Sequence, residues 1–412
     1  MKINDLSDSG ILRLANETSH LYELAGITSE MGLRQRSNLI FLERSLHELW
    51  GLGANSILSW SPCEQGMLVL LVPHYAIADY VAAGRSDDFG TRYSESFITE
   101  LISGNRRLSE KQLRKVGQLL HAEPVFVQLR EPLQGDDAES DVVERMIRRY
   151  GINYVPSRAV TLFDIVGFGL LSPFEQMTQL NSLSYSLNSA HAKMLEKNIA
   201  VNFARCTTGD GFYVWNRDRG TEANVNLYHF MHLVLADNAI ARSKTRSNTV
   251  PRLRACFDVG SCYEFHQAEG LNPTTHDFIV GHVTIDLARM VDAARPGQIF
   301  VGEFLPDSIT SATDYEQTQS NLDAIVFLER TQDSLKQLSG LVLAGDRVSG
   351  IKSYLTGEKT GPGQYAVRRI PITDKHGIKR TVYNAKVNIY RENAEPILLG
   401  IEDRKLSQAF TQ

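Results

Sequence analysis

Asp164 and Asp210 sit where an apolar strand gives way to a turn. Asp164 closes the run Ala159-Val160-Thr161-Leu162-Phe163 and is followed by Ile165-Val166-Gly167-Phe168; Asp210 lies in Thr207-Thr208-Gly209-Asp210-Gly211-Phe212, between two further strand-like runs. A carboxylate at the end of an apolar strand must find a partner or bear the cost of desolvation. Two of them on neighbouring strands make a site for hard divalent cations, which favour carboxylate oxygens. Paired cations can activate an attacking hydroxyl and neutralise departing phosphates. Gly167 lets the backbone come close, and turn N–H groups beside a helix start can hold phosphate oxygens. Taken singly, each aspartate also fits a turn former or helix cap. The matching contexts of the two point to metal-assisted chemistry on a phosphorylated substrate.

The elements that must position them follow from the apolar pattern. Ser172-Pro173-Phe174-Glu175 is a helix start, with Ser172 as cap and Pro173 in the first turn, and Phe174, Met177, Leu180, Leu183, Leu187, Ala190 and Met194 mark one face behind it. Strands are expected at 200–204 and 212–215, a helix at 222–242, strands at 253–259 and 277–280, a helix at 284–293 and a strand at 299–301. This order, β-α-β-β-α-β-β-α-β, implies a mixed sheet with helices packed on one face. Upstream, helical periodicity covers 11–50 and 110–120, with strand-like runs at 56–60, 67–72 and 125–129. The acidic stretch 134–141 reads as the start of a connector, and 335–412 reads as a β-rich appendage.

Bulk properties narrow the class. Of 412 residues, 42% are hydrophobic and 22% charged, the balance of a globular chain long enough for more than one domain. A net charge of −5 argues against nucleic acid as a partner. The longest apolar run, Met67 to Pro73, is far shorter than a membrane span, and no membrane partner is expected. Cys63, Cys206, Cys256 and Cys262 lack metal-binding or disulfide spacing, and a reduced, cytoplasmic setting is expected.

The residues around the two aspartates also carry a likeness. Phe163-Asp164-Ile165-Val166-Gly167-Phe168 resembles the first metal motif of class III adenylate/guanylate cyclases, and Thr208-Gly209-Asp210-Gly211-Phe212 resembles their second. Gly281 to Met290, followed by Ala294-Arg295-Pro296-Gly297-Gln298-Ile299-Phe300-Val301, resembles the interface helix and following strand of that family. The likeness covers residues 157 to 305. It implies an α+β, ferredoxin-like nucleotidyl cyclase domain at 157–330, with an N-terminal α+β sensor or regulatory domain at 1–140, a linker at 141–156 and a β-rich C-terminal extension at 331–412. It further implies a nucleoside triphosphate substrate, a 3′,5′-cyclic nucleotide and pyrophosphate as products, and a homodimer with the active site at its interface. Asp164 and Asp210, helped by the Ile165 carbonyl, would hold two Mg²⁺ or Mn²⁺ ions. The backbone at Gly167 and Phe168 would grip phosphates, and Arg289 of the other protomer would stabilise charge on the α-phosphate.

Three positions depart from the family pattern. Cys206 stands where a base-reading lysine or glutamate is usual, Phe278 where a second base reader is usual, and Ile285 where an asparagine orients the ribose. Cysteine and phenylalanine cannot reproduce the usual purine hydrogen bonds, which leaves the base open and keeps a pyrimidine cyclase, of the kind used in bacterial antiphage signalling, as a sub-case. Asp277 and Asp286 lie one residue from the expected polar positions, where a bulge or shifted helix start would bring them to substrate; both also fit ordinary solvated aspartates. Arg205, Arg254, His282 and Lys379 are further phosphate candidates, each equally suited to a surface or strand-edge role. The alternative from another class is a degenerate cyclase-like module that binds a nucleotide without turning it over.

Overall fold

The computed structural model describes residues 31–83, 88–133, 135–199, 201–268, 275–304, 323–361, 364–374 and 376–402. Their contacts gather into two compact units, one drawn from residues 1–155 and 263–278, the other from 156–262 and 279–412.

The first unit opens with helix α1 (Leu33–Trp50), which carries the expected Leu39, Leu42, Leu46 stripe; residues 11–30 of that helical expectation lie outside the described residues. Strands β1 (Asn55–Cys63) and β2 (Gly66–Pro73) pair antiparallel. Helices α2 (Ala76–Ala83), α3 (Asp88–Ser103) and α4 (Glu110–Leu119) lead to β3 (Val125–Gln128), which pairs with β2, and α5 (Asp137–Arg149) follows. Trp60, Met67 and Val69 pack with Leu42 and Leu46 of α1 and with Val143 and Met146 of α5. Leu58 and Val72 pack with Ile98 and Ile102 of α3, and Leu68 and Leu70 with Leu113 of α4. Both faces of the sheet are covered, which explains why β2 reads as an unbroken apolar run.

Where the sequence pattern marks a connector and a linker at 141–156, the chain forms α5. Asp136 caps it, its Oδ1 accepting from the Glu139 N–H at 2.7 Å. The helix forms because Val142, Val143, Met146 and Ile147 make a stripe that buries completely. The Tyr150 hydroxyl donates to Glu43 of α1 at 2.5 Å.

The second unit is built on a long sheet. The described strands of this sheet are β4 (Asn153–Ile165), β5 (Phe203–Thr207), β6 (Gly211–Asn216), β7 (Leu253–Ala268), β8 (Thr275–Val280), β9 (Ile299–Gly302), β10 (Val342–Leu343), β11 (Asp346–Leu355), β14 (Arg369–Thr373), β15 (Lys379–Arg391) and β16 (Ile397–Leu399); β12 (Gly357–Gly361) and β13 (Gln364–Val367) form a separate hairpin. Of these strands, β4, β7 and β8 carry residues 153–155, 263–268 and 275–278 that are grouped with the first unit. The main path runs β10-β11-β15-β9-β7-β4-β6-β5, with β8 on β7 and with β14 and β16 on β15. Residues 331–412, expected as an appendage, therefore include strands of the same sheet: Tyr383, Asn384 and Ala385 of β15 pair with Val301, Phe300 and Ile299 of β9.

Helices α6 (Pro173–Glu196), α7 (Thr221–Lys244), α8 (His282–Ala293) and α9 (Ala324–Ser334) complete the unit. The sequence places the α6 start correctly: Ser172 Oγ accepts from the Glu175 N–H, and the Glu175 carboxylate accepts from the Ser172 N–H at 2.9 Å. Leu183, Leu187 and Met194 of α6 and Tyr228, Met231 and Leu235 of α7 pack on Phe163, Val214, Phe257 and Val301 of the sheet, joined by Phe327 of α9. The expectation of helices on one face holds for these three but not for α8. Side chains alternate along a strand, so Tyr213 turns away from that core, and its hydroxyl donates to the Thr284 carbonyl of α8 at 3.0 Å. Helix α8 therefore crosses the opposite face.

Two histidines are sealed in the core. His229 Nε2 lies 3.0 Å from Ser334 Oγ, and His232 Nε2 lies 3.4 Å from Ser353 Oγ. Burial lowers the His229 pKa to about 4 and holds His232 well below its ordinary value. Both are neutral in the fold, whereas the unfolded chain takes up protons below pH 6.5. The His229 contribution is thus fully present above pH 6.5 and is lost as pH falls toward 4, by on the order of 3 kcal/mol. Asp258, its carboxyl pushed up to about 8 by burial, acts in the opposite sense over the same range. The His229 effect is therefore read as the difference in urea-unfolding free energy between the protein and its His229→Gln variant. That difference is expected to shrink steadily from pH 6.5 to 4; a constant difference would show that His229 does not titrate as its burial requires.

Candidate active site

Strands β4 and β6 pair antiparallel with Asp164 opposite Gly211, and the Ile165 N–H donates to the Asp210 carbonyl at 3.0 Å. This register brings Asp164 and Asp210 to the same end of neighbouring strands. Gly211 is required there, because a Cβ at this position would lie 1.9 Å from the Phe163 carbonyl oxygen. Beyond Asp164 the strand ends at Ile165, and Gly167 follows in the turn with a left-handed φ of 71° that suits glycine. A short 3₁₀ turn, Phe168–Leu170, then leads into the capped start of α6. The Phe168 carbonyl accepts from Gln176 Nε2 at 3.1 Å, tying this turn to the helix.

Asp164, Arg254, Cys256 and Asp258 face away from the α6–α7 core, on the α8 side of the sheet. The Asp164 side chain is 8% exposed, and its Oδ2 accepts from Arg254 Nε at 2.6 Å. Burial pushes its carboxyl pKa up, Arg254 pulls it down by hydrogen bond and charge, and the negative charges of Asp210 and Asp292 push it up again; the balance is raised. Asp292, on the last turn of α8, thus adds a third carboxylate to the field at Asp164. Asp210 lies in a turn stiffened by Thr208 Oγ1, which donates to its Oδ1 at 3.1 Å. Tyr213 lies beside Cys206 on the adjacent strand. Its hydroxyl is pushed up to about 12, chiefly by burial and further by the negative charge of Asp292, against the opposing charge of Arg289.

The remaining candidates are placed as follows. Arg289, on α8, is 24% exposed, with Nη1 3.7 Å from Asp292 and Nε 3.7 Å from Asp374. Asp286 accepts from Arg380 Nε at 2.5 Å. Ile285 is exposed on α8. Asp277 and Phe278 are grouped with the first unit, where Asp277 stands 2.5 Å from His266 Nδ1 and Phe278 stacks on Phe265. Arg205 donates to Ser184 on α6 and lies over the Phe212 ring, away from Cys206. His282 and Lys379 are exposed. Asp292 and Asp374 gave no signal in the sequence, because their relevance comes only from packing beside Asp164 and Arg289.

Asp164 and Asp210 are hard oxygen donors on one edge, and the desolvated Asp164 already needs a cation, which Arg254 now supplies. That chemistry fits a divalent ion. Among the described residues, no group of three or more His, Cys, Asp or Glu stands at metal-holding geometry. The protein would therefore contribute the two aspartates, and substrate phosphates the remaining oxygens.

Solved structures match this chain. They include the adenylyl cyclase CyaB from P. aeruginosa, at 14% identity over 59% of this chain and 99% of that one, with a TM-score of 0.34. The guanylate cyclase domain of RhGC from Catenaria anguillulae, in complex with GTP, matches at 13% identity over 58% and 100%, with a TM-score of 0.33. A class III adenylyl cyclase-like ATP-binding protein from Pseudomonas aeruginosa matches at 13% identity over 46% and 41%, with a TM-score of 0.32. No family model matches it, and no curated protein does. No described helix is long and apolar enough to cross a membrane.

Proposed function

We propose that the chain is a nucleotidyl cyclase, converting a nucleoside triphosphate into a 3′,5′-cyclic nucleotide and pyrophosphate. The observation that carries this reading is the register of β4 on β6, which sets Asp164 beside Asp210 at the mouth of the Gly167 turn. Asp164 and Asp210 would hold Mg²⁺ or Mn²⁺, with the Ile165 carbonyl alongside. Such ions, when bound, lower the pKa of a coordinated hydroxyl and offset phosphate charge. The turn backbone at Gly167 and Phe168 orients the β- and γ-phosphates. Arg254, displaced from Asp164, remains within reach of the same anionic cluster. In a head-to-tail homodimer the partner's Arg289 faces the α-phosphate, where a forked guanidinium matches developing oxyanion charge. The ribose 3′-hydroxyl attacks that phosphorus, its proton passes to solvent water, and the bond to pyrophosphate breaks, the leaving oxygen keeping the electron pair.

Cys206 and Tyr213, neighbours on β5 and β6, line the base side of this reading, and neither is a charged reader for a purine edge. The substrate base is therefore tested rather than assumed. Incubation of the full chain with ATP, GTP, CTP or UTP and Mn²⁺ is expected to yield one cyclic nucleotide with equimolar pyrophosphate. A second reading, nucleotide binding without turnover, is favoured by the exposed Ile285 in the ribose-orienting position and by the engagement of Asp286 with Arg380. Tight binding with no pyrophosphate from any of the four would establish that reading instead.

A further inference from the structure

We propose that Asp374, in the turn between β14 and β15, is a positioning residue that sets the orientation of Arg289; the proposal rests on the cyclase reading above. The Asp374 side chain is 3% exposed. Its Oδ1 is fixed by its own turn, accepting from the His376 N–H at 2.8 Å and the Ile378 N–H at 2.9 Å. Its Oδ2 accepts from Arg380 Nη1 at 3.0 Å and lies 3.7 Å from Arg289 Nε. That Nε is buried and has no hydrogen-bond partner among the described residues. Arg380 is anchored from its other side by Asp286 at 2.5 Å.

One buried carboxylate thus stands between two guanidinium groups, held from behind by backbone N–H groups that cannot move without opening the hairpin. Charge attraction at this range in a partly desolvated setting restricts where the Arg289 head can sit. The opposite edge of the guanidinium lies 3.7 Å from Asp292, whose side chain is 70% exposed and free to move aside, whereas Asp374 is fixed by its turn. The device belongs to the C-terminal strands. It couples a segment beyond the residues that resemble a cyclase to the arginine on which the chemistry depends.

The test is steady-state kinetics of the full chain with the triphosphate it turns over best, in Mn²⁺. Asp374→Asn keeps an oxygen for the turn N–H groups and removes the charge. It is expected to lower kcat about a hundredfold, the scale of an ångström of misplacement, with KM changed by less than about threefold if ground-state binding is untouched. In an Arg289→Lys background the same substitution is expected to cost little more, because both act through one group. Wild-type kcat in Asp374→Asn, or losses that multiply in the double variant, would overturn the proposal. If the Asn variant does not fold, Asp374→Glu, which keeps the charge but shifts it by one methylene, carries the same comparison with the same two outcomes. Absence of cyclic product from the unaltered chain would bring down the cyclase reading and this proposal together. Loss of coupling in an active chain brings down this proposal alone.

Discussion

Asp164→Asn is expected to lose at least about a thousandfold in cyclic-nucleotide formation while keeping its fold. The size follows from the several kcal/mol of charge stabilisation that a bound cation supplies, at about 1.4 kcal/mol per tenfold in rate. Asn presents a neutral oxygen and a donor where two anionic oxygens stood, so a hard cation loses most of its hold. The fold survives because the Asp164 carboxyl is itself desolvated and raised in pKa by burial, and because its partner Arg254 is 24% exposed and can turn toward water. Asn leaves Arg254 without its ion partner, and the access of that guanidinium to water keeps the loss below the cost of stranding a fully buried charge. Asp210→Asn should match it if, as proposed, the two aspartates hold the same ions. Product analysis and thermal unfolding of the same samples check both halves of the expectation. Undiminished turnover in either variant would rule out the paired-carboxylate site.

Arg106→Met is expected to cost the first unit about 3–5 kcal/mol. Arg106 is wholly buried, and its guanidinium donates to the Leu58, Ile102 and Ile152 carbonyls and to Asn153 Oδ1. It thereby joins β1, α3 and the start of β4. Met fills similar volume but leaves those acceptors in a dry interior without donors, and each such loss costs about 1–3 kcal/mol unless the site relaxes. Urea unfolding followed by fluorescence of Trp50 and Trp60, both in this unit, reads the change directly. A midpoint unchanged from wild type would mean that water replaces the guanidinium at these carbonyls.

Much of the local structure around the candidate site was legible in the residues. The Asp164 and Asp210 contexts, the Gly167 turn and the Ser172 cap are local signals: they depend on strand ends, left-handed backbone and helix-start chemistry, all decided within a few residues. The order of strands and helices from β4 to β9 was legible for the same reason, because apolar periods of two and of three to four residues are local. The reading of 141–156 as a linker failed to see α5, whose acidic cap and first turn resemble turn chemistry until the Val142, Val143, Met146, Ile147 stripe is buried against α1. The reading of 331–412 as an appendage did not foresee β15 pairing with β9, since strand pairing between distant segments leaves no mark in either one.

By itself, the sequence determined which residues could do chemistry and which local elements would carry them. Only the tertiary structure decided that β4 and β6 align so that Asp164 meets Asp210, that Arg254 holds Asp164, that α8 crosses the opposite face from α6 and α7, and that Asp374 stands behind Arg289. The physical reason is one of range. Caps, turns and periodicity are settled by neighbours along the chain, whereas register, charge pairing and desolvation depend on groups that only the packed sheet brings together.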